Sequence, residues 1–167
     1  MSSTITAPSI ASTITPVAPP VESPLIAAFV NNIMKSGKKT TARRIVSDAL
    51  KHIQLETSKD AHAVLATAVE KIEPLFKVVG VKQGAKSVQT PKALNEKQRR
   101  RTAIIWLVEA ANSRNQKDPA GIRLGKEIIA VMNDESSAIQ KRNLVHKNAL
   151  ANRSNVVLVD RRIRKSF

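Results

Sequence analysis

The sequence predicts a mainly α fold: a six-helix, bundle-like domain with a β-hairpin ribbon inserted between helices three and four. Three observations carry this. Apolar residues recur at helical spacing through most of residues 23–154. One stretch breaks that period, PLFKVVGVKQGAKSVQTPKAL, which is Val-rich and interrupted by Gly80 and Gly84. No internal repeat is visible and the connecting stretches are short, as in a bundle of consecutive helices.

Residues 1–22 form a Ser/Thr/Pro/Ala-rich arm, read as extended or disordered, with Pro8, Pro16, Pro19, Pro20 and then Pro24 punctuating the approach to the domain. The arm has neither the arginines of an amphipathic transit peptide nor a continuous signal-peptide core. The helical domain covers residues 23–154. In SPLIAAFVNNIMKSG, Ser23 suits an N-cap, Pro24 the first helical position and Gly37 the stop. KKTTARRIVSDALKHIQLET places Ala42, Ile45, Val46, Ala49, Leu50 and Ile53 on one buried face. The third helix begins at Asp60 and is ended by Pro74; the basic ribbon follows. The fourth, NEKQRRRTAIIWLVEAANSR, opens on a capping-box pattern of Asn95 and Gln98, and its all-round apolar stretch 103–108 argues for a central, buried helix. The fifth starts at Asp118-Pro119, with Gly121 and Gly125 spaced for close helix packing. The sixth starts near Ser136 or Ser137 and continues at least to Asn152. Residues 155–167 make a basic C-terminal extension.

Charge narrows the function. The chain of 167 residues carries 28 Lys and Arg against 13 Asp and Glu, a net +15, and no cation precedes Lys35. The simplest partner is a polyanion, nucleic acid before membrane. No cysteine is present, which excludes disulfides and thiolate metal sites. No apolar run reaches the roughly 20 residues of a membrane-spanning helix. Aromatics are 2% of the chain, too few for base-stacking platforms, so phosphate contact and shape recognition remain.

Candidate contacts follow from where the cations gather. KSGKKTTARR puts Lys35, Lys38, Lys39, Arg43 and Arg44 around one helix–helix junction, where they can grip phosphates from two sides. The ribbon offers Lys77, Lys82, Lys86 and Lys92. At the head of the fourth helix, Lys97, Arg100 and Arg101 share a face while Arg99 points elsewhere, and Arg114 lies at its far end. Cations at a helix N-terminus oppose the helix dipole, so this head suits an external anion. On the sixth helix Arg142, His146, Ala149 and Arg153 follow one stripe flanked by Lys141 and Lys147, with the small Ala149 expected to let the backbone approach phosphate. The double reversal Arg100→Glu with Arg142→Glu is accordingly expected to weaken RNA binding with helicity unchanged.

Catalytic and cofactor motifs fail on inspection. VGVKQGAKS and GIRLGK both miss the GxxxxGK[ST] spacing of a phosphate loop. His52, His62 and His146 fall on three helices with no spaced ligand partner, and Asp134 and Glu135 suit a helix start. No enzyme activity, cofactor or metal is expected. A helical duplex-DNA-binding or chromatin-associated protein is the alternative to an RNA binder, with an RNA-modifying enzyme third.

Four stretches together resemble the bacterial-type branch of the small-subunit ribosomal protein seven family: SPLIAAFVNNIMKSGKKTTARRIVSDAL, the ribbon with GAKSVQTP, RRRTAIIWLVEAA, and AIQKRNLVHKNALANR. They stand in the family order over residues 23–154. The resemblance implies a six-helix domain with a ribbon between helices three and four, which binds the 3′ major domain of small-subunit rRNA and starts head assembly. It implies neighbouring head proteins as partners, and a ribbon near exit-site tRNA and the mRNA path. It also implies rRNA contacts at Lys38, Lys39, Arg99, Arg100, Lys141, Arg142, His146, Asn152 and Arg153. This chain departs from the family in its uncharged arm, in SVQTP, in Ile105 where an Arg commonly precedes the Trp, and in its VVLVDRRIRKSF ending. Such drift points to an organellar member, a mitochondrial one, with a bacterial or plastid origin as the alternative.

Overall fold

A computed structural model describes residues 23–83 and 85–156, and the arm and the end of the C-terminal extension lie outside these described residues. Its elements follow the predicted order: α1 (Pro24–Ile33), α2 (Lys39–Thr57), α3 (Ala61–Ile72), β1 (Phe76–Gln83), β2 (Lys86–Ala93), α4 (Glu96–Ser113), α5 (Ala120–Met132), α6 (Ser137–Ala151) and a 3-10 turn at Arg153–Asn155.

Local chemistry sets most boundaries. Ser23 caps α1 by accepting from the Ile26 N–H at 3.3 Å, with Pro24 in the first turn. The helix ends at Ile33, before Gly37, which serves the turn into α2 with φ +74° instead. Asp60 caps α3 by accepting from His62 N–H at 3.1 Å. Ser136, not Ser137, caps α6, accepting from Ala138 N–H at 3.0 Å. The expected capping box at α4 does not form, because Asn95 makes no side-chain cap bond. Arg99 instead folds back there, donating from Nε to Leu94 O at 2.9 Å.

Helices α2 and α5 cross at the centre, and the crossing depends on two glycines. A Cβ on Gly121 would sit 2.7 Å from Asp48 Cβ and 3.0 Å from Ile45 O; one on Gly125 would lie 3.2 Å from Ala49 O. Backbone thus rests against backbone, as the Gly121/Gly125 spacing predicted. Ala42, Val46, Ala49 and Ile53 of α2 join Leu124, Ile128 and Val131 of α5 in one core with Phe29, Ile72, Ile104 and Leu107. Helix α4 is not buried all round: Ala103, Ile104, Leu107, Ala110 and Ala111 face the core, while Ile105 is 36% exposed. The exposed side of α4 runs through Lys97, Arg101, Ile105, Glu109 and Asn112.

The ribbon is an antiparallel pair in register Phe76↔Ala93 through Gln83↔Lys86. Its eight-residue strands make it roughly 25 Å long. Its root is fixed to α6: the Leu75 N–H donates to His146 Nε2 at 3.1 Å, and the Phe76 ring meets the His146 ring edge-on at 6.4 Å. Asn155 Nδ2 donates to Gln89 O at 2.9 Å, tying the 3-10 turn to β2.

Candidate nucleic-acid interface

The predicted cations divide into two groups. In the first, the side chain is exposed and has no partner among the described residues: Lys35, Lys38, Lys39 and Arg44 at the α1–α2 junction, Lys97 and Arg101 on α4, Lys77, Lys82, Lys86 and Lys92 on the ribbon, and Lys147 and Arg153 at α6. Arg43 is exposed at the same junction. Lys77 and Lys92 stand directly opposite each other across the ribbon, a like-charge pairing that strand chemistry alone disfavours.

The second group is engaged inside the protein. Arg100 NH2 donates to Glu96 Oε1 at 2.7 Å, and its Nε lies 3.8 Å from Glu73 Oε1. Burial raises the Glu73 carboxyl above its ordinary pKa, and the Arg100 guanidinium pulls it back. Arg114 Nε donates to the buried Glu127, whose other oxygen accepts from Ser136 Oγ at 2.5 Å. One carboxylate therefore links the end of α4, the middle of α5 and the cap of α6. Lys141 pairs with Glu109 at 2.8 Å. Asn152 Nδ2 donates to Asn148 O at 2.9 Å.

The α6 stripe requires a correction. Arg142 donates from NH1 to Lys71 O, a terminal carbonyl of α3, and from Nε and NH2 to Asn143 Oδ1. A guanidinium at a helix C-terminus satisfies carbonyls that the helix leaves open. His146 accepts from Leu75 N–H, so its Nε2 is unprotonated; burial, with Arg142 nearby, holds its pKa below the ordinary value. Ala149 is buried, so its small side chain admits the ribbon root and not a phosphate surface. The double variant Arg100→Glu with Arg142→Glu would therefore remove internal contacts to Glu73 and to the end of α3 as well as two candidate RNA contacts.

The structure does bring Lys97, Arg100 and Arg101 together, as their spacing predicted. They line an open groove of about 480 Å³ with Asn31, Asn32 and Pro24 of α1. Asn32 also borders a second cavity whose rim carries Lys35 and Lys38. The α4-head groove and the α1–α2 cavity thus meet at Asn32, and their cations flank the uncharged helix α1. Sequence reading missed the partners Glu73, Glu109 and Glu127, each far along the chain from its cation. It also missed Lys71, which donates to Met132 O at 2.9 Å and so closes the end of α5.

Among the described residues there is no group of three or more His, Asp or Glu placed to hold a metal, and no helix is long and apolar enough to cross a membrane. Fold and face together define a basic helical scaffold with a projecting ribbon.

Comparison with known proteins sharpens that class. Residues 6–153 match the family model described as ribosomal protein S7p/S5e. The small ribosomal subunit protein uS7m of Schizosaccharomyces pombe is 41% identical over 127 residues, 76% of this chain but 49% of its own length, so the chain spans about half of that relative. The uS7 protein of Thermotoga petrophila is 38% identical over 78% of this chain and 83% of its own, and that of Vibrio campbellii 36% over 81% and 86%. The chain belongs to the ribosomal protein S7p/S5e family, whose members are structural, non-enzymatic components of the small ribosomal subunit, partnering rRNA and other ribosomal proteins.

Proposed function

We propose that this chain binds the 3′ major domain of small-subunit rRNA and organises assembly of the subunit head, with its ribbon lying near exit-site tRNA and the mRNA path. The carrying observation is the pair of cation clusters flanking α1, in which Lys35, Lys38, Lys39, Arg44, Lys97 and Arg101 have no partner among the described residues, on a chain of net charge +15. Rigid helices hold these cations where several RNA helices converge, neutralising phosphates and fixing their junction. Within this reading the RNA contacts are the exposed group, and Arg142, His146 and Arg114 act by positioning elements. The similarity to uS7m supports a mitochondrial ribosome as the site of action, while the bacterial relatives keep a bacterial or plastid origin as the alternative.

The test is binding to a transcribed 3′ major-domain rRNA fragment across a salt series. With about eight phosphate contacts, log K against log salt falls with a slope near −6 to −7. A slope near −1, or equal affinity for a DNA duplex in competition, would sink the proposal. Sedimentation of the endogenous protein with mitochondrial small subunits tests the compartment.

A further inference from the structure

We propose that the cavity between the end of α1, the start of α2, the end of α4 and the start of α5 holds one extruded RNA nucleotide, base inside and phosphate on the rim. This rests on the RNA-binding reading above and adds what enters. The cavity measures about 330 Å³, within the roughly 300–1,000 Å³ that small-molecule sites occupy.

Its lining supplies the three kinds of surface a nucleotide presents. Ile33, Ile45, Val108 and Leu124 give aliphatic walls, which suit the faces of a base and offer nothing to a phosphate. Asn112, at the end of α4, is exposed and makes no side-chain hydrogen bond among the described residues. Its amide presents a donor and an acceptor side by side, matching a base edge. Asn32 commits its Nδ2 to Ala28 O at 2.8 Å, leaving Oδ1 able to accept. Lys35 and Lys38 add cations to the lining, and no Asp or Glu lines the cavity among the described residues.

Arg123 adds a second unsatisfied polar group beside the cavity. Its Nε is buried and donates to nothing among the described residues, although Arg123 lines this cavity. A buried N–H without an acceptor is unfavourable, so a shift of the Arg123 side chain toward an oxygen bound in the cavity would be favourable. A duplex phosphate could use the lysines but not the aliphatic walls. A carboxylate side chain would use the cations and the Asn112 amide N–H, but would offer no donor to the Asn32 and Asn112 amide oxygens and nothing to the aliphatic walls. Recognition of splayed, unpaired bases by side-chain amides and guanidinium groups is an established mode for RNA, and it needs no aromatic ring.

The test uses the full chain and a transcribed 3′ major-domain rRNA fragment. A photo-crosslinking residue replacing Asn112 is expected to mark one nucleotide, unpaired by chemical probing of the free RNA. Deleting that nucleotide is expected to lower wild-type affinity about tenfold, and Asn112→Ala to lower affinity for intact RNA by about the same factor. Combining the two should cost no more than either alone, since both remove one contact. Multiplicative losses, crosslinks to paired or scattered nucleotides, or an Asn112→Ala chain binding as tightly as wild type would overturn the proposal while the salt slope still supports RNA binding. Failure of the wild-type chain to bind the fragment at all would overturn the RNA-binding reading with it. Arg123→Met should behave as Asn112→Ala, and a folded Arg123→Met chain with unchanged affinity also counts against the proposal.

Discussion

The head of α4 and the inner face of α6 carry the same kinds of cation at the same helical spacings, yet they do opposite work. On α6 the end of α3 and the root of the ribbon arrive within reach, so Arg142 closes on Lys71 O and His146 on Leu75 N–H. At the α4 head Arg100 meets Glu96 and Glu73, whereas Lys97, Arg101, Lys35 and Lys38 are without partners among the described residues. What separates a structural cation from a binding one is therefore which backbone end or carboxylate the fold delivers to it. The α6 face holds the ribbon on, and the α1–α4 face presents charge.

The largest effect that would break this contrast is a charge deletion. Lys38→Ala, Lys97→Ala and Arg101→Ala together should lower rRNA affinity on the order of 100-fold at physiological salt and flatten the salt slope by about 2–3. The melting temperature should stay unchanged, because none of the three side chains holds another element. A drop in melting temperature with an unaltered slope would place these residues in the structural group.

Next is Arg142→Ala, which should destabilise the fold by about 1.5–3 kcal/mol, the usual worth of hydrogen bonds from a charged group. The salt slope of the folded protein should change little. Unchanged melting with a shallower slope would move Arg142 across to the RNA side, and the contrast between the faces would collapse.

These two experiments turn on relations that the sequence shows unequally. Helix existence is legible because periodicity is local: of the predicted α2 face, Ala42, Val46, Ala49 and Ile53 lie in the core, while Ile45 and Leu50 are half-buried at its edge. The Gly121 and Gly125 spacing is legible for the same reason, since both glycines occupy one face of one helix. The partners of Arg114, Lys141 and Arg142 are not, lying 13, 32 and 71 residues away along the chain. No local pattern records such a meeting; packing creates it. That is why the α6 stripe reads as a phosphate face until α3 and the ribbon are set against it. The capping box does not form although Asn95 and Gln98 stand at its spacing, and the Arg99 Nε bond to Leu94 O beside it is a contact no local pattern announced.

A smaller effect concerns pH at the ribbon root. His146 has its folded pKa held below the ordinary 6.5 by burial and by Arg142, so between the two values the unfolded chain binds more protons than the folded one. Its contribution is thus complete above about pH 6.5 and diminishes as pH falls toward the folded value. Protonation would also place an N–H where Leu75 N–H needs an acceptor. Amide exchange at Leu75 should therefore accelerate between pH 7.5 and pH 5 beyond its intrinsic pH trend, and His146→Ala should abolish that extra response. The comparison with the variant separates this from Glu73, whose raised pKa acts in the opposite sense at lower pH. Identical exchange profiles would mean that the hydrogen bond does not hold the root.

The smallest effect sharpens the binding face itself. Lys97, Arg101 and Ile105 follow at four-residue intervals, so they share one side of α4. Ile105 is 36% exposed on that side, an apolar residue continuing a basic stripe. Ile105→Arg should extend the stripe by one cation at little cost in stability, since Ile105 is an exposed residue on this side of the helix. The expected gain is a few-fold in rRNA affinity, with a salt slope steeper by about one. Lys147→Ala offers the matching subtraction at the α6 pole, where the slope should change by at most about one. If Ile105→Arg left both affinity and slope unchanged, the RNA would have to leave the α4 stripe between Arg101 and Ile105. The boundary of the face would then fall one helical turn from the head, with Arg101 as its last contact along this helix.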